Sequence, residues 1–253
     1  MTLSVCIPTY RRHDLLVHCL ESVFRSTVRP LEVVVSDDAH EPALARRLEA
    51  LPVPAGIEVR YSANPLERGE AGNTRNAYEQ ASHELVVLMH DDDYFLPGGL
   101  DALWRAWQAA GDAYDAVFGR QRVVTAGGVE QPRLTAQRNR KCHRLEPGPV
   151  PSNLWSVLVQ QFPMNGMLLR RSLALAAGVP SEREVGGNTD VQFGIRYAAV
   201  ATRPFLLVAD EISAYRLSVD SKQRPGATLR LDGDLTYRAL AALQPEGPLD
   251  RKS

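Results

Sequence analysis

Short apolar runs and amphipathic helical segments take turns along the first 125 residues, and this alternation restricts the fold more than any other property of the chain. "LSVCI" (3–7), "LEVVVSD" (31–37), "IEVRYS" (57–62), "ELVVLMH" (84–90) and "DAVFGRQRVV" (115–124) have the length and β-branched content of strands. Between them stand "DLLVHCLESVF", "EPALARRLEAL", "AGNTRNAYEQAS" and "LDALWRAWQAAG". In the first of these, Leu15, Leu16, Cys19, Leu20, Val23 and Phe24 recur at helical spacing, and Leu100, Leu103, Trp104 and Trp107 do so in the last. Strands that alternate with helices build β-α-β units, so the reading is α/β with a mostly parallel, Rossmann-like sheet. Strands this continuously apolar need helices on both faces.

The alternation stops at residues 126–151, which are rich in Gly, Pro, Arg and Gln and show no period. They are expected to be a flexible loop. The pattern then resumes less regularly. A helix is expected at "SNLWSVLVQQF", a strand at "GMLLR", a short helix at "SLALAAG" and a loop at "VPSEREVGGN". A helix at "TDVQFGIRYAAV", strands at "FLLVA" and "ISAYRL", and a last helix around 232–243 follow. The expected organisation is a single domain in two lobes. Residues 1–125 form a nucleotide-binding half and 152–253 a smaller half for an acceptor and a catalytic base, joined through 126–151.

With 29 basic and 30 acidic residues the chain carries a net charge of −1, so no broad field draws it to nucleic acid or to an anionic membrane. The three cysteines, Cys6, Cys19 and Cys142, have no paired spacing. That argues against structural disulfides and for a reducing cytoplasm. Six scattered histidines do not suggest zinc. No run of 18 apolar residues and no leader-like start is seen, so a spanning segment is not expected, while peripheral attachment to a membrane stays open.

The chemistry concentrates where strands end. In open α/β sheets, ligands sit beyond the carboxyl ends of the strands. "PTYRR" follows the first strand, "SDD" (36–38) the second and "HDDDY" (90–94) the fourth. A parallel sheet brings these ends to one rim, and with them at least four carboxylates. Crowded carboxylates repel unless a cation joins them, and hard oxygen ligands suit Mg²⁺ or Mn²⁺ together with substrate phosphates. A lone acidic pair after a strand is also what a turn or a helix cap uses. Three aspartates directly after an apolar strand are harder to explain that way.

"SVCIPTYRR", "VVVSDD", "NPLERGEAGNTRNAYEQAS" and "LVVLMHDDDYFLPGGL" together resemble the N-terminal half of family 2 glycosyltransferases, in that family's order and at about its spacing. The resemblance implies the GT-A fold, a nucleotide-diphosphate sugar as donor, UDP- or dTDP-linked, and Mn²⁺ or Mg²⁺ as cofactor. It assigns Pro8, Thr9, Tyr10 and Arg12 to the nucleotide, with Tyr10 against the base. Asp38 matches the carboxylate that reads the base edge, with Asp37 in support. Arg75 and Asn76 match the family's Arg-Asn pair, Arg75 toward the base or the diphosphate. Asp91 would face the ribose, and Asp92 and Asp93 are the metal ligands. His90 stands where many members carry Asp, and its imidazole either ligates the metal or is satisfied by a neighbour.

In the same family the catalytic base is an Asp ahead of a helix, after a Gly-rich stretch. "GGNTDVQFGIRYA" matches, with Asp190 as the base and Thr189 in place of Glu; by position alone Asp190 is equally a first-turn helix residue. Family chemistry would be a single inverting displacement. Arg216, in "YRLS", matches a segment in which His often stands at Ser218; it is a candidate diphosphate contact or a surface ion pair. Trp155, Phe162, Met164 and Met167 either line an acceptor pocket or belong to the core. Arg133, Arg138, Arg140, Lys141 and Arg144 either close over the diphosphate or sit on a solvated flap. The acceptor is open between a small molecule, a peptide and a lipid-linked intermediate, and so is a homodimer. A non-catalytic nucleotide-sugar-binding partner and a nucleotidyltransferase are the alternatives. The latter wants a Gly-rich loop after the first strand, which "PTYRRHD" lacks.

Overall fold

A computed structural model describes residues 2–29, 31–185 and 189–217. The first half follows the expected alternation: β1 (Leu3–Thr9), α1 (His13–Phe24), β2 (Leu31–Asp37), α2 (Pro42–Glu49), β3 (Ile57–Ala63), α3 (Glu70–Gln80) and β4 (Leu85–Leu88). A two-residue strand that the sequence did not announce, β5 (Tyr94–Phe95), precedes α4 (Gly99–Ala110). The second half contains β6 (Ala116–Val124), α5 (Pro132–Lys141), β7 (Gly148–Pro149), α6 (Asn153–Leu158) and β8 (Met167–Arg170). It continues with α7 (Arg171–Ala177), α8 (Glu182–Val185), α9 (Thr189–Val200) and β9 (Phe205–Arg216).

Everything lies on one sheet in the order β3-β2-β1-β4-β8-β6-β9-β5, with β7 on β9. From β3 to β4 the strands are parallel. β8 then runs antiparallel to both β4 and β6, and β6 pairs parallel with β9. Alternate residues of the buried strands face two apolar layers. Leu3, Val5 and Ile7 meet Leu16, Leu20 and Val23 of α1 and Leu103 and Trp107 of α4. Cys6, Val34 and Val86 face the other way, toward Tyr78 of α3 and Phe193 and Tyr197 of α9. This period-two division is why both faces of the central strands read as apolar.

Residues 126–151 are not the structureless loop expected, because α5 lies within them. It docks on β6 through polar groups. Gln121 N donates to Asn139 Oδ1 at 3.2 Å, Asn139 Nδ2 donates to Gln121 O at 2.9 Å, and Val123 N donates to Thr135 Oγ1 at 2.9 Å. Thr135 and Asn139 are one helical turn apart and serve residues two apart on β6, beyond the point where pairing with β8 has ended. A helix held by hydrogen bonds needs no apolar stripe, so its sequence shows no period. "FLLVA" and "ISAYRL" merge into the single strand β9, with register shifts opposite Phe118–Gln121. The expected loop "VPSEREVGGN" contains the one-turn helix α8. The helix expected near 232–243, Gly186, Gly187 and Ser218 lie outside the described residues. The three cysteines are free and buried. No helix among the described residues is long and apolar enough to cross a membrane.

Candidate active site

The parallel half of the sheet delivers the strand ends to one edge, where they open on a cavity of about 680 Å³. Pro8, Thr9, Tyr10 and Arg12 line it from the end of β1, Asp38 from β2, and His90, Asp91, Asp92 and Asp93 from β4. Asp190, in the first turn of α9, lines it too.

At one end, Asp91 is buried and accepts from Thr9 Oγ1 at 2.8 Å, Tyr10 N at 3.4 Å and Arg12 Nη1 at 3.2 Å. Arg12 Nη1 also reaches Asp92 Oδ2 at 2.7 Å. Burial pushes the Asp91 carboxyl above its usual range, with Thr9 and Arg12 opposing. Asp91 thereby ties the β1 turn to the aspartate run. Asn73 of α3 completes the tie by donating to Thr9 O at 2.9 Å. Tyr10 leaves half its surface exposed (51%), with the Arg11 guanidinium 5.2 Å from the ring centre. A flat face offered to solvent this way can stack on a base. Asp38 accepts from Asn64 Nδ2 at 2.8 Å and from Gly69 N at 2.9 Å. Gly69 has φ +114, which side-chain-bearing residues rarely adopt, so the loop "NPLERG" is shaped to present that N–H.

At the centre, His90, Asp92 and Asp93 each offer a ligand atom, and these atoms lie within 4.8 Å of one another. Asp93 is buried and accepts from Asn165 Nδ2 and, at 2.7 Å, from Arg216 N. Its pKa is pushed up to about 7 by burial and by Asp92, against the pull of His90, the Arg216 N–H and Arg138. For His90, burial acts downward, but Glu70, Asp190, Asp93 and Asp92 outweigh it and raise its pKa. Both shifts express the crowding of negative charge around the cluster when no cation is bound. A divalent cation would offset that charge, and this donor set fits Mn²⁺ or Mg²⁺.

Two residues expected at the nucleotide, Asp37 and Arg75, are not among those that line the cavity. Asp37 does not face the cavity. It is fully buried and accepts from Ala39 N, Glu41 N and Tyr61 Oη at 2.8, 2.7 and 2.9 Å, so its charge closes the turn after β2. Arg75 lies on the outer side of α3, exposed, and pairs with Glu79 one turn on at 2.8 Å. Asn76 beside it is buried against Ser36 and Ser62. Arg216 lines the cavity, but Nε donates to Asp92 O and Nη1 to Ala126 O, both at 2.7 Å, and the guanidinium lies over Tyr94. It braces the aspartate run at the cavity wall. Of the four side chains read as pocket or core, Phe162 and Met164 line the cavity, Met167 is core, and Trp155 is exposed and does neither.

Arg68, Asn73, Gln121 and Asn165 also line the cavity and were not assigned from sequence, and of the five cations between 133 and 144 Arg138 and Arg144 line it. Asn165 is the most telling, because it bonds Asp93 and accepts from His90 N at 3.1 Å. Its only signal was the "NG" before a strand. Gly166 has φ +68, and a Cβ there would lie 2.8 Å from Ser213 Oγ.

The profile of Glycosyl transferase family 2 matches residues 4–164. The chain belongs to glycosyl transferase family 2. A family relative, the GalNAc(5)-diNAcBac-PP-undecaprenol beta-1,3-glucosyltransferase of Campylobacter jejuni, is 32% identical over 130 residues, 51% of this chain and 41% of the relative. The chain thus matches well under half the length of that relative. Staphylococcus aureus TarS 1–349, solved in complex with UDP-GlcNAc, superposes with TM-score 0.67 at 20% identity, covering 96% of this chain and 65% of TarS 1–349. The mannosyltransferase PcManGT of Pyrobaculum calidifontis, solved with GDP-Man and Mn²⁺, gives TM-score 0.62 at 20% identity over 87% of this chain and 58% of its own. The likeness to these structures places the fold as GT-A type.

Proposed function

We propose that this chain transfers a sugar from a nucleotide-diphosphate donor, UDP- or dTDP-linked, to an acceptor hydroxyl with inversion at the sugar carbon. One observation carries the reading: Asp190 and the His90–Asp92–Asp93 cluster share one cavity, close enough for Asp190 to raise the His90 pKa. The nucleotide occupies the end formed by Thr9, Tyr10, Arg12 and Asp38, with the Tyr10 ring on the base. His90, Asp92 and Asp93 would hold Mn²⁺ or Mg²⁺, which when bound supplies positive charge for the departing diphosphate. Asp190 takes the proton of the acceptor hydroxyl as the new C–O bond forms and the bond to the diphosphate breaks. A helix N-terminus favours the ionised carboxylate that this task needs.

The acceptor is a small molecule, a peptide or a lipid-linked intermediate, and the enzyme works in the cytoplasm, free or at a membrane surface. Calorimetry with UDP, with and without Mn²⁺, tests the donor site; metal-dependent binding is expected. Metal-dependent binding with no hydrolysis of any UDP- or dTDP-sugar and no transfer would instead favour a non-catalytic binder. No UDP binding at all would remove the reading.

A further inference from the structure

From Pro132 to Arg144 the chain carries Arg133, Arg138, Arg140, Lys141 and Arg144 and no acidic residue. Two of these cations, Arg138 and Arg144, line the cavity. Arg144 is 2% exposed. Its guanidinium donates through Nε to Gln161 O at 2.8 Å, through Nη1 to Gln121 Oε1 at 2.7 Å and through Nη2 to Gln160 O at 3.0 Å. All three acceptors are neutral. Arg138 lies 3.9 Å over the Tyr215 ring, and its Nε is buried with no hydrogen-bond partner. Neither guanidinium makes an ion pair with a described residue.

Burying a guanidinium on neutral oxygens is costly, and a second cation beside it adds to the cost. Burial and the neighbouring Arg138 draw the Arg144 pKa down to about 10, with Cys142 opposing. Arg138 is near enough to Asp93 to draw its pKa down, and Asp93 already belongs to the donor set for the cation. A site built this way is incomplete until an anion enters it. Planar guanidinium groups are suited to phosphate and carboxylate oxygens.

We propose that Arg138 and Arg144 form an anion subsite for an acidic group, phosphate or carboxylate, carried by the acceptor. Arg138 stands near the cation cluster, while the surroundings of Arg144 favour the acceptor over the donor. The Arg144 partners Gln160 and Gln161 follow α6, and Phe162 and Met164 from the same stretch line the wall. The nucleotide end is built from the turns after β1 and β2 instead. The assignment rests on the reading of that end as the donor site.

The test is calorimetric titration of sn-glycerol 3-phosphate, at fixed ionic strength, into protein saturated with UDP and Mn²⁺. Glycerol serves as the uncharged control. Saturable binding of the phosphate and none of glycerol is expected. Arg138→Gln should weaken the phosphate about tenfold or more, Arg138→Lys should recover part of it, and UDP affinity should stay within about twofold. Arg144→Gln, whose side chain is packed inside, is interpreted only if its thermal unfolding matches the parent. Equal phosphate binding in Arg138→Gln, or none in the parent, overturns the subsite. Loss of UDP affinity in Arg138→Gln with UMP unchanged overturns the acceptor assignment and gives the pair to the donor diphosphate. If the parent does not bind UDP, the donor reading falls. The same titration on UDP-free protein then decides the subsite alone: Arg138-dependent phosphate binding supports it, and none overturns it.

Discussion

After β2 and after β4 the chain leaves the sheet through a run of aspartates, yet the two runs find different partners. Asp37 is enclosed by two backbone N–H groups and the Tyr61 hydroxyl, all from its own lobe. Tyr61 registers this, its pKa raised to about 12 by burial and by the bond it donates to Asp37. Asp92 and Asp93, by contrast, sit beside one another with His90; Asp92 pairs with Arg12 of the β1 turn, while the partners of Asp93, Asn165 and Arg216, come from the far half of the chain. A carboxylate satisfied locally is a structural part. One that stays under electrostatic strain within a cavity is available for a ligand.

Several substitutions would break or sharpen this contrast. The largest effect is expected at the wall opposite the aspartate run: Asp190→Asn should lower transfer about 10³-fold while UDP binding with Mn²⁺ stays within about twofold. Asp92→Asn should cost about 10²-fold in turnover and weaken Mn²⁺ binding, as measured by calorimetry. Asp37→Ala should do the reverse. It leaves two N–H groups and a hydroxyl without an acceptor, so urea unfolding should show a loss of about 2 kcal/mol, while the Mn²⁺ affinity of the folded protein is unchanged.

Asp93 adds a pH signature. Its folded pKa of about 7 lies above the ordinary 3.8, so Mn²⁺ must displace a proton below about pH 7. Deprotonation of Asp93 alone should make Mn²⁺ affinity fall by up to about tenfold per unit below that point, and His90, whose raised pKa means it too must lose a proton to bind, should steepen the fall. For Asp93 the metal-free protein binds more protons folded than unfolded. Its contribution to stability therefore falls as pH rises from about 4 to about 7, then stays constant. The smallest effect belongs to Arg75→Ala, where an exposed helix pair is lost. Stability should change by about 0.5 kcal/mol or less and UDP affinity not at all. A large drop in UDP affinity would restore Arg75 to the nucleotide site.

The parallel strands, the common rim and the aspartate run were legible because each is encoded locally, by apolar runs and by the residues directly after them. Asp190 was legible through a family resemblance and a helix start. α5 was hidden because its anchors, Thr135 and Asn139, are polar, and hydrophobic periodicity is blind to a helix held by hydrogen bonds. For Arg75 the motif gives the position on the helix and not the face it occupies, and in the structure it pairs with Glu79. In space Asn73 of the same helix and Arg68 of the preceding loop reach the cavity. Asn165 could not be read from sequence, and which two of the five cations between 133 and 144 reach the cavity could not be either. Their meaning depends on contacts between residues tens of positions apart.

Where β8 ends, the outer margin of β6 would leave the amides of Gln121 and Val123 bare, a ready template for another chain to zip onto. Thr135 and Asn139 occupy those amides from a helix, which cannot extend a sheet. α5 is thus also a stopper, and a variant lacking both polar groups should be prone to sticking to itself at high concentration even while its catalytic groups are intact.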